Sequence, residues 1–142
     1  MTVRLLGTEL DTMYNSRVAI SAEVSVTATS SATANACMTT GAFSIANGGY
    51  YLVEVFTPYL TKGTTNLDVE LWDGATFLTS LSGHMAASMT RPGTVMRAFV
   101  SLATGNHNLT VKAFVDAGTG KFGAGDGATG DAPNALLTVS PA

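Results

Sequence analysis

Apolar and polar residues alternate with a period of two along much of this chain, which restricts it to β structure. In the stretch NLDVELWDG, Leu67, Val69 and Leu71 share one face and the residues between them share the other. This is the pattern of a half-buried antiparallel strand. Asp73 and Gly74, which follow, are the two residues that a tight hairpin turn prefers. The segment therefore predicts a strand that runs into a hairpin.

Three other stretches predict strands at the beginning, middle and end of the chain. RVAISAEVSVTAT has its alternate apolar residues from 18 to 26 in register. GYYLVEVFTPYL is apolar on both faces and ends at Pro58, which predicts a strand covered on both sides. A last strand is predicted at 135–139, after Pro133.

The segment VMRAFVSLATGNHNLTVKAFVDAG predicts two strands, at about 94–102 and 107–115, joined by a turn at Gly105 and Asn106. Only the first dozen residues and HMAASM are candidates for helix, and both are short. Seven or eight short strands with Gly, Asn and Asp between them predict an all-β fold, an antiparallel β-sandwich. Long helices do not alternate with the strands, which argues against a doubly wound nucleotide-binding sheet.

The composition excludes several classes of partner. At 142 residues one domain is expected. Charged residues make up 12% of the chain, against ~25% in ordinary soluble domains, while mean hydropathy is +0.27. A surface so poor in charge indicates that part of it is covered by a partner.

With a net charge of -3 and scattered Lys and Arg residues, we expect no binding to nucleic acid. No run of 18 apolar residues and no signal peptide are present, so we expect no membrane association and synthesis in a cytoplasm.

The glycine-rich segment DAGTGKFGAGDGATGD, residues 116–131, suggests either a phosphate or a calcium site. A phosphate-binding Walker loop needs Ser or Thr after its lysine, but Phe122 follows Lys121. The GAGDGATGD part resembles one turn of a calcium-binding nonapeptide repeat, with Asp126 and Asp131 as candidate ligands. That site needs stacked turns and only one copy is present, so we expect a flexible loop with no cofactor and no metal.

Residues suited to catalysis are scattered. Glu54 and Glu70, in successive predicted strands, are the candidates for a glycosidase pair of carboxylates, although cross-strand pairing or solvent exposure is the favoured interpretation. His84 and His107 lie outside any hydrolase or zinc motif and are expected at the surface. Cys37 is the single cysteine, expected to be a small buried residue. We expect no enzyme.

Two phrases of the chain resemble a known family. An apolar strand of the form F-x-I-x-x-x-G-x-Y-x-V is followed by a later phrase, L-x-x-G-x-H-x-L-x-V, ahead of the glycine-rich segment. Together they resemble the jelly-roll modules of tumour-necrosis-factor and complement-globular-head type that recur in the structural proteins of tailed bacteriophages. The resemblance covers about residues 40–140. The matching residues are Phe43, Ile45, Gly49, Tyr51 and Val53 in the first phrase and Leu102, Gly105, His107, Leu109 and Val111 in the second.

The resemblance implies a jelly roll that forms a homotrimer around a three-fold axis, in which an apolar face is buried. We expect residues 1–16 to be an extended N-terminal arm and residues 17–142 to be the jelly-roll domain. The aromatic strand from Tyr50 to Tyr59 is the candidate trimer interface. Its interface residues are expected to be Tyr50, Leu52, Phe56 and Tyr59.

The functional hypothesis is a capsid decoration protein, a small free-standing trimer that binds the major capsid protein on the phage head and stabilises the shell of the virion. The arm would order on the shell. Its expected capsid contacts are Val3, Arg4, Leu5, Leu6, Leu10 and Arg17. The alternative is a host-recognition module on a tail tip or fibre, binding through residues 116–134, where Phe122 is the expected exposed aromatic. A third hypothesis is a small carbohydrate-active or calcium-dependent binding domain of cellular origin.

Overall fold

The computed structural model of the chain describes residues 18–20, 23–61, 66–82, 90–123 and 134–142. Most of these residues lie in β-strands, every strand pairing found in them is antiparallel, and one short 3₁₀ helix lies at Ser31–Thr33. The all-β class predicted from the alternation is confirmed. The strands are β1 (Val18–Ile20), β2 (Glu23–Val26), β3 (Asn35–Thr39), β4 (Phe43–Ile45), β5 (Gly49–Thr61), β6 (Leu67–Asp73), β7 (Thr76–Ser82), β8 (Thr90–Leu102), β9 (Gly105–His107), β10 (Leu109–Val115), β11 (Gly120–Gly123) and β12 (Ala135–Pro141).

The strands form two large sheets and one small one. The six-stranded sheet has the order β1-β12-β5-β11-β2, with β8 paired along the other side of β5. The four-stranded sheet has the order β3-β10-β6-β7, and β4 pairs with β9 in a two-stranded sheet. Strand β5 is central to the larger sheet, because β8 follows it over its whole length while β12 and β11 share its opposite edge.

One hydrophobic core lies between the two large sheets. Val53 and Val55 of β5 and Leu67, Val69 and Leu71 of β6 are all fully buried and belong to the same cluster. In both strands the buried apolar residues recur at every second position, as strand geometry requires when one face meets the core. The predicted antiparallel β-sandwich is confirmed.

The hairpin predicted at Asp73 and Gly74 forms, but its two turn residues lie one position later, at Gly74 and Ala75. Strand β6 ends at Asp73, a tight turn contains Gly74, and β7 begins at Thr76. Gly74 has a φ of 55°, a left-handed conformation that glycine adopts without the steric cost that a side chain brings.

The prediction that a turn joins neighbouring strands at about 94–102 and 107–115 is wrong. Strand β8 belongs to the six-stranded sheet and β10 to the four-stranded sheet, so the two are not partners. Gly105 and Asn106 lie in β9, which pairs with β4 and carries the chain across from one sheet to the other. Glycine next to asparagine suits such a crossing as well as a hairpin, because both need unusual backbone angles. Gly105 has a φ of 136°.

Two further predictions need correction. The strand predicted over 18–26 is two separate strands, since β1 pairs with β12 and β2 pairs with β11. The glycine-rich segment is not loop throughout, because β11 occupies its Gly120–Gly123 portion. The N-terminal arm at 1–16 and the helix candidates in the first dozen residues and at HMAASM lie outside the described residues.

Candidate interaction surface

The outward side of β5 is unusually apolar. Its inward residues fill the core, so Tyr50, Leu52, Glu54 and Phe56 all point away from it. An antiparallel sheet with one solvated face ordinarily carries polar residues at such positions. Three of these four side chains are instead large and apolar or aromatic.

Strand β8 extends this surface with apolar residues of its own. The register sets Phe99 opposite Leu52 and Val95 opposite Phe56. Phe99 is 68% exposed, Val95 51% and Tyr50 69%. Large apolar side chains this exposed are ordinary when they are scattered, but here they lie together on two neighbouring strands.

On the other edge of β5, strand β12 widens the surface. Leu136 lies opposite Phe56 and is half-buried, while Thr138 and Ser140 lie opposite Glu54 and Leu52. Apolar character is therefore greatest on β5 and lowest on β12. We call the group of six the outer apolar face; its members are Tyr50, Leu52, Phe56, Val95, Phe99 and Leu136.

One ion pair lies in the middle of the outer apolar face. Arg97 Nε donates to Glu54 Oε1 at 3.3 Å, and these two residues are direct partners in the register of β5 and β8. The Arg97 side chain is 65% exposed. An ion pair so open to solvent contributes little to the stability of a single chain.

The opposite outer face, on the four-stranded sheet, satisfies its own polar groups. Trp72 Nε1 donates to Glu70 Oε2 at 2.9 Å, and Ser31 Oγ donates to the same oxygen at 2.8 Å. The Lys112 ammonium lies 4.0 Å from the centre of the Trp72 ring, and Phe77 packs edge-on against that ring. Trp72 is therefore engaged by its own neighbours, which distinguishes this surface from the outer apolar face.

His107, expected at the surface, is half-buried, and a network of hydrogen bonds holds its side chain. Nδ1 lies 2.6 Å from Asp73 Oδ2 and Nε2 lies 2.8 Å from the Ala103 carbonyl oxygen, while Phe43 packs against the ring. Asp73 Oδ1 also accepts from the Asn108 backbone N–H at 3.0 Å. A carbonyl and a carboxylate at the two ring nitrogens both require a donor there, which favours the doubly protonated imidazolium.

The pKa values of both partners follow from this geometry. Burial by itself would lower the pKa of His107, but the hydrogen bonds to Asp73 and Ala103 and the charge of Asp73 raise it above its ordinary value. Burial by itself would raise the pKa of Asp73, but the hydrogen bonds from Asn108 and His107 lower it below its ordinary value. The ion pair joins β9 to the end of β6.

The structure places part of the predicted trimer interface on one surface. Tyr50, Leu52 and Phe56 lie together on the outer apolar face. Tyr59 lies on β5, but its side chain is outside what the structure describes. Their role in a trimer stays a prediction. The expected capsid contacts all fall outside the described residues: Val3, Arg4, Leu5, Leu6, Leu10 and Arg17.

The sequence prediction missed the contribution of β8 and β12 to this surface. Val95, Arg97 and Phe99 alternate with buried or partly buried residues along VMRAFVSL, so the signal was present. Alternation separates two faces of a strand without saying which of them meets the core. The pairing register of β8 with β5 shows which face of β8 points away from the core.

The other sequence candidates do not form a site in the described residues. Glu54 and Glu70 lie on opposite outer faces of the sandwich, so they cannot act as one catalytic pair. Phe122, the expected exposed aromatic for ligand binding, is fully buried in the core. Asp126 and Asp131 lie outside the described residues. Cys37 is buried as expected, and burial raises the pKa of its thiol to about 12.

The described residues contain neither a metal-binding cluster nor a membrane-spanning helix. Across the described ranges no three His, Cys, Asp or Glu side chains come together in a way that could hold a metal ion. The helical part of those ranges is a single 3₁₀ turn, and no membrane-spanning helix is found there.

Comparison with known proteins gives only distant likenesses. No protein-family model matches the chain, and no curated protein matches its sequence. The carbohydrate-binding module CBM6cm-2 of Cellvibrio mixtus lichenase 5A, solved with cellotriose, aligns with a TM-score of 0.45 and 17% identity over 72% of this chain and 66% of that chain, slightly less than two thirds of its length.

Two other solved structures align less well. The C-terminal CBM6 of LamC from Zobellia galactanivorans aligns with a TM-score of 0.36 and 13% identity over 82% of this chain and 99% of that chain. A chain of infectious bursal disease virus, Gx strain, aligns with a TM-score of 0.32 and 10% identity over 87% of this chain and 35% of that chain. These likenesses are too low for a family or a function to be assigned from them. The chain is a β-sandwich module on the evidence of its own strands.

Proposed function

We propose that this protein is a structural assembly module that forms a homotrimer through the outer apolar face and decorates the head of a tailed bacteriophage. One observation carries the self-association: two adjacent strands present Tyr50, Val95 and Phe99, each at least half exposed, on a single surface. Solvent-exposed apolar patches of this kind mark interaction sites. The low charge content of the chain agrees with a surface that is covered in use.

The position on the virion rests on the resemblance of two sequence phrases to phage jelly-roll modules. In that setting each trimer binds several copies of the major capsid protein and raises the barrier to rupture of the shell. Many copies with modest contacts are sufficient for such a role, and no catalytic group is needed. The alternative is a module at the tail tip that recognises the host.

Two measurements test the proposal in order. Sedimentation equilibrium of the purified protein over a series of micromolar concentrations should report the mass of a trimer, whereas a monomer at every concentration would refute self-association. Electron microscopy of virions labelled with a gold-tagged antibody then tests placement. We expect gold over the head, and gold confined to the tail tip would replace decoration with host recognition.

A further inference from the structure

The outer apolar face has an acid and a base at the same height along its strands, and this pairing determines what can cover it. Glu54 and Arg97 are register partners on β5 and β8. Leu52 and Phe99 lie on one side of them along the strands, and Phe56 and Val95 lie on the other. The surface thus consists of an apolar layer, a charged layer with one carboxylate and one guanidinium, and a second apolar layer.

We propose that the partner on this surface is a second copy of the same chain, and that Glu54 and Arg97 form ion pairs between copies around a symmetry axis parallel to β5 and β8. The inference rests on the proposed self-association and specifies its geometry. A foreign protein would have to supply both a base and an acid at the right spacing. A second copy supplies both by symmetry.

Rotation about an axis parallel to the strands keeps every residue at its own height along that axis. The β5 side of one copy then meets the β8 side of the next, so Glu54 of each copy faces Arg97 of its neighbour. In a trimer the three acids and three bases alternate around the axis. A two-fold axis lying in the surface and perpendicular to the strands would instead place Glu54 on Glu54 and Arg97 on Arg97. The charges therefore select the parallel axis.

The same rotation brings like layers together. Leu52 and Phe99 of one copy meet the corresponding pair of the next copy, as do Phe56 and Val95. The ring of charges is then enclosed between two apolar layers and removed from water, where ion pairs fix register and reject mismatched partners. The exposure of Arg97 gives its guanidinium the freedom to reach a neighbour.

Charge reversal tests whether the ion pairs act between copies. In Glu54→Arg every charge of the ring becomes positive, and in Arg97→Glu every charge becomes negative. Each variant alone should raise the dissociation constant of the assembly by about tenfold or more, measured by sedimentation and native mass spectrometry. Circular dichroism establishes that each variant is folded. Lys112→Gln is the control on the opposite outer face; it removes one charge there without placing an acid opposite Glu70, and it should assemble as the wild type does.

Mixing the two variants provides the decisive comparison. Neither single variant keeps the pair within its own chain, so only contacts between chains can restore attraction. A mixed trimer has two interfaces between unlike variants, where opposite charges meet, and one between like variants. We therefore expect a mixture to yield mixed trimers, recognised by mass, at concentrations where each variant alone is monomeric.

The outcomes separate this inference from the proposed function. A monomeric wild type refutes both. A wild type that assembles, with single variants that assemble equally well, overturns the ion-pair ring and leaves self-association standing. Single variants that dissociate and stay monomeric when mixed show that the pair acts only within one chain, which also overturns the inference.

Discussion

Replacing Phe99 by Thr should separate the stability of one chain from the stability of the assembly. Phe99 is 68% exposed, so about a third of its surface is buried in the single chain. Complete burial of a Phe side chain is worth about 1.5–3 kcal/mol, so the monomer should lose only about 0.5–1 kcal/mol. Thr is also a good strand former, so little is lost from backbone preference.

The assembly should lose much more. The exposed two thirds of Phe99 correspond to about 1–2 kcal/mol per copy if they become buried between chains. Three copies then lose about 3–6 kcal/mol, which lowers the association constant by a factor of about one hundred to ten thousand. Sedimentation over a concentration series measures this constant, and urea denaturation of the monomer measures the first effect.

Phe77→Thr is the matched control, because Phe77 is 46% exposed on the opposite outer face. It should leave the association constant unchanged. If Phe99→Thr leaves association intact, or if Phe77→Thr weakens it as strongly, then the outer apolar face is not the assembly surface.

Four further experiments test the fold and its electrostatics. Because the pKa of His107 is raised on folding, its ion pair stabilises fully below the ordinary histidine pKa and is lost as pH rises through the raised value; His107→Gln should flatten that part of the melting temperature against pH. Phe122→Ala, in the core, should cost about 3–5 kcal/mol in urea denaturation. Gly74→Ala should cost about 1–2 kcal/mol at its left-handed φ, whereas Gly49→Ala, with open space and an ordinary φ, should change melting little. The Cys37 thiol should react with iodoacetamide at pH 8 only as fast as the protein opens, and prompt labelling would contradict its burial.

The faces of individual strands could be predicted because they depend on local alternation. Leu67, Val69 and Leu71 share the core side of β6, as their spacing indicated, and the turn at Gly74 follows from two adjacent residues. Which strands pair with each other could not be predicted in the same way. Gly105 suits a hairpin and a crossing between sheets equally, and only the long-range pairing of β8 with β5 distinguishes the two.

Burial of isolated residues was equally hidden from the sequence. Phe122 lies among glycines, which suggested an exposed loop, yet pairing of β11 with both β2 and β5 carries it into the core. His107 is held by Asp73, a residue far away along the chain. The burial of Phe122 and the position of His107 both depend on residues that are distant in the chain, so the local sequence pattern does not predict them.

The central position of β5 has a consequence for how the protein folds. Its two neighbouring edges are occupied by β8 on one side and by β11 and β12 on the other, all of which are made after it. Because the partners of β5 are distant from it in sequence, each pairing closes a long loop, and the entropy cost of closing that loop comes before the contacts that compensate for it. Folding is therefore expected to be slow compared with a helical protein of the same length. On the ribosome the six-stranded sheet cannot be completed until β12 has emerged, and until then β5 presents unpaired backbone groups that a chaperone could shield.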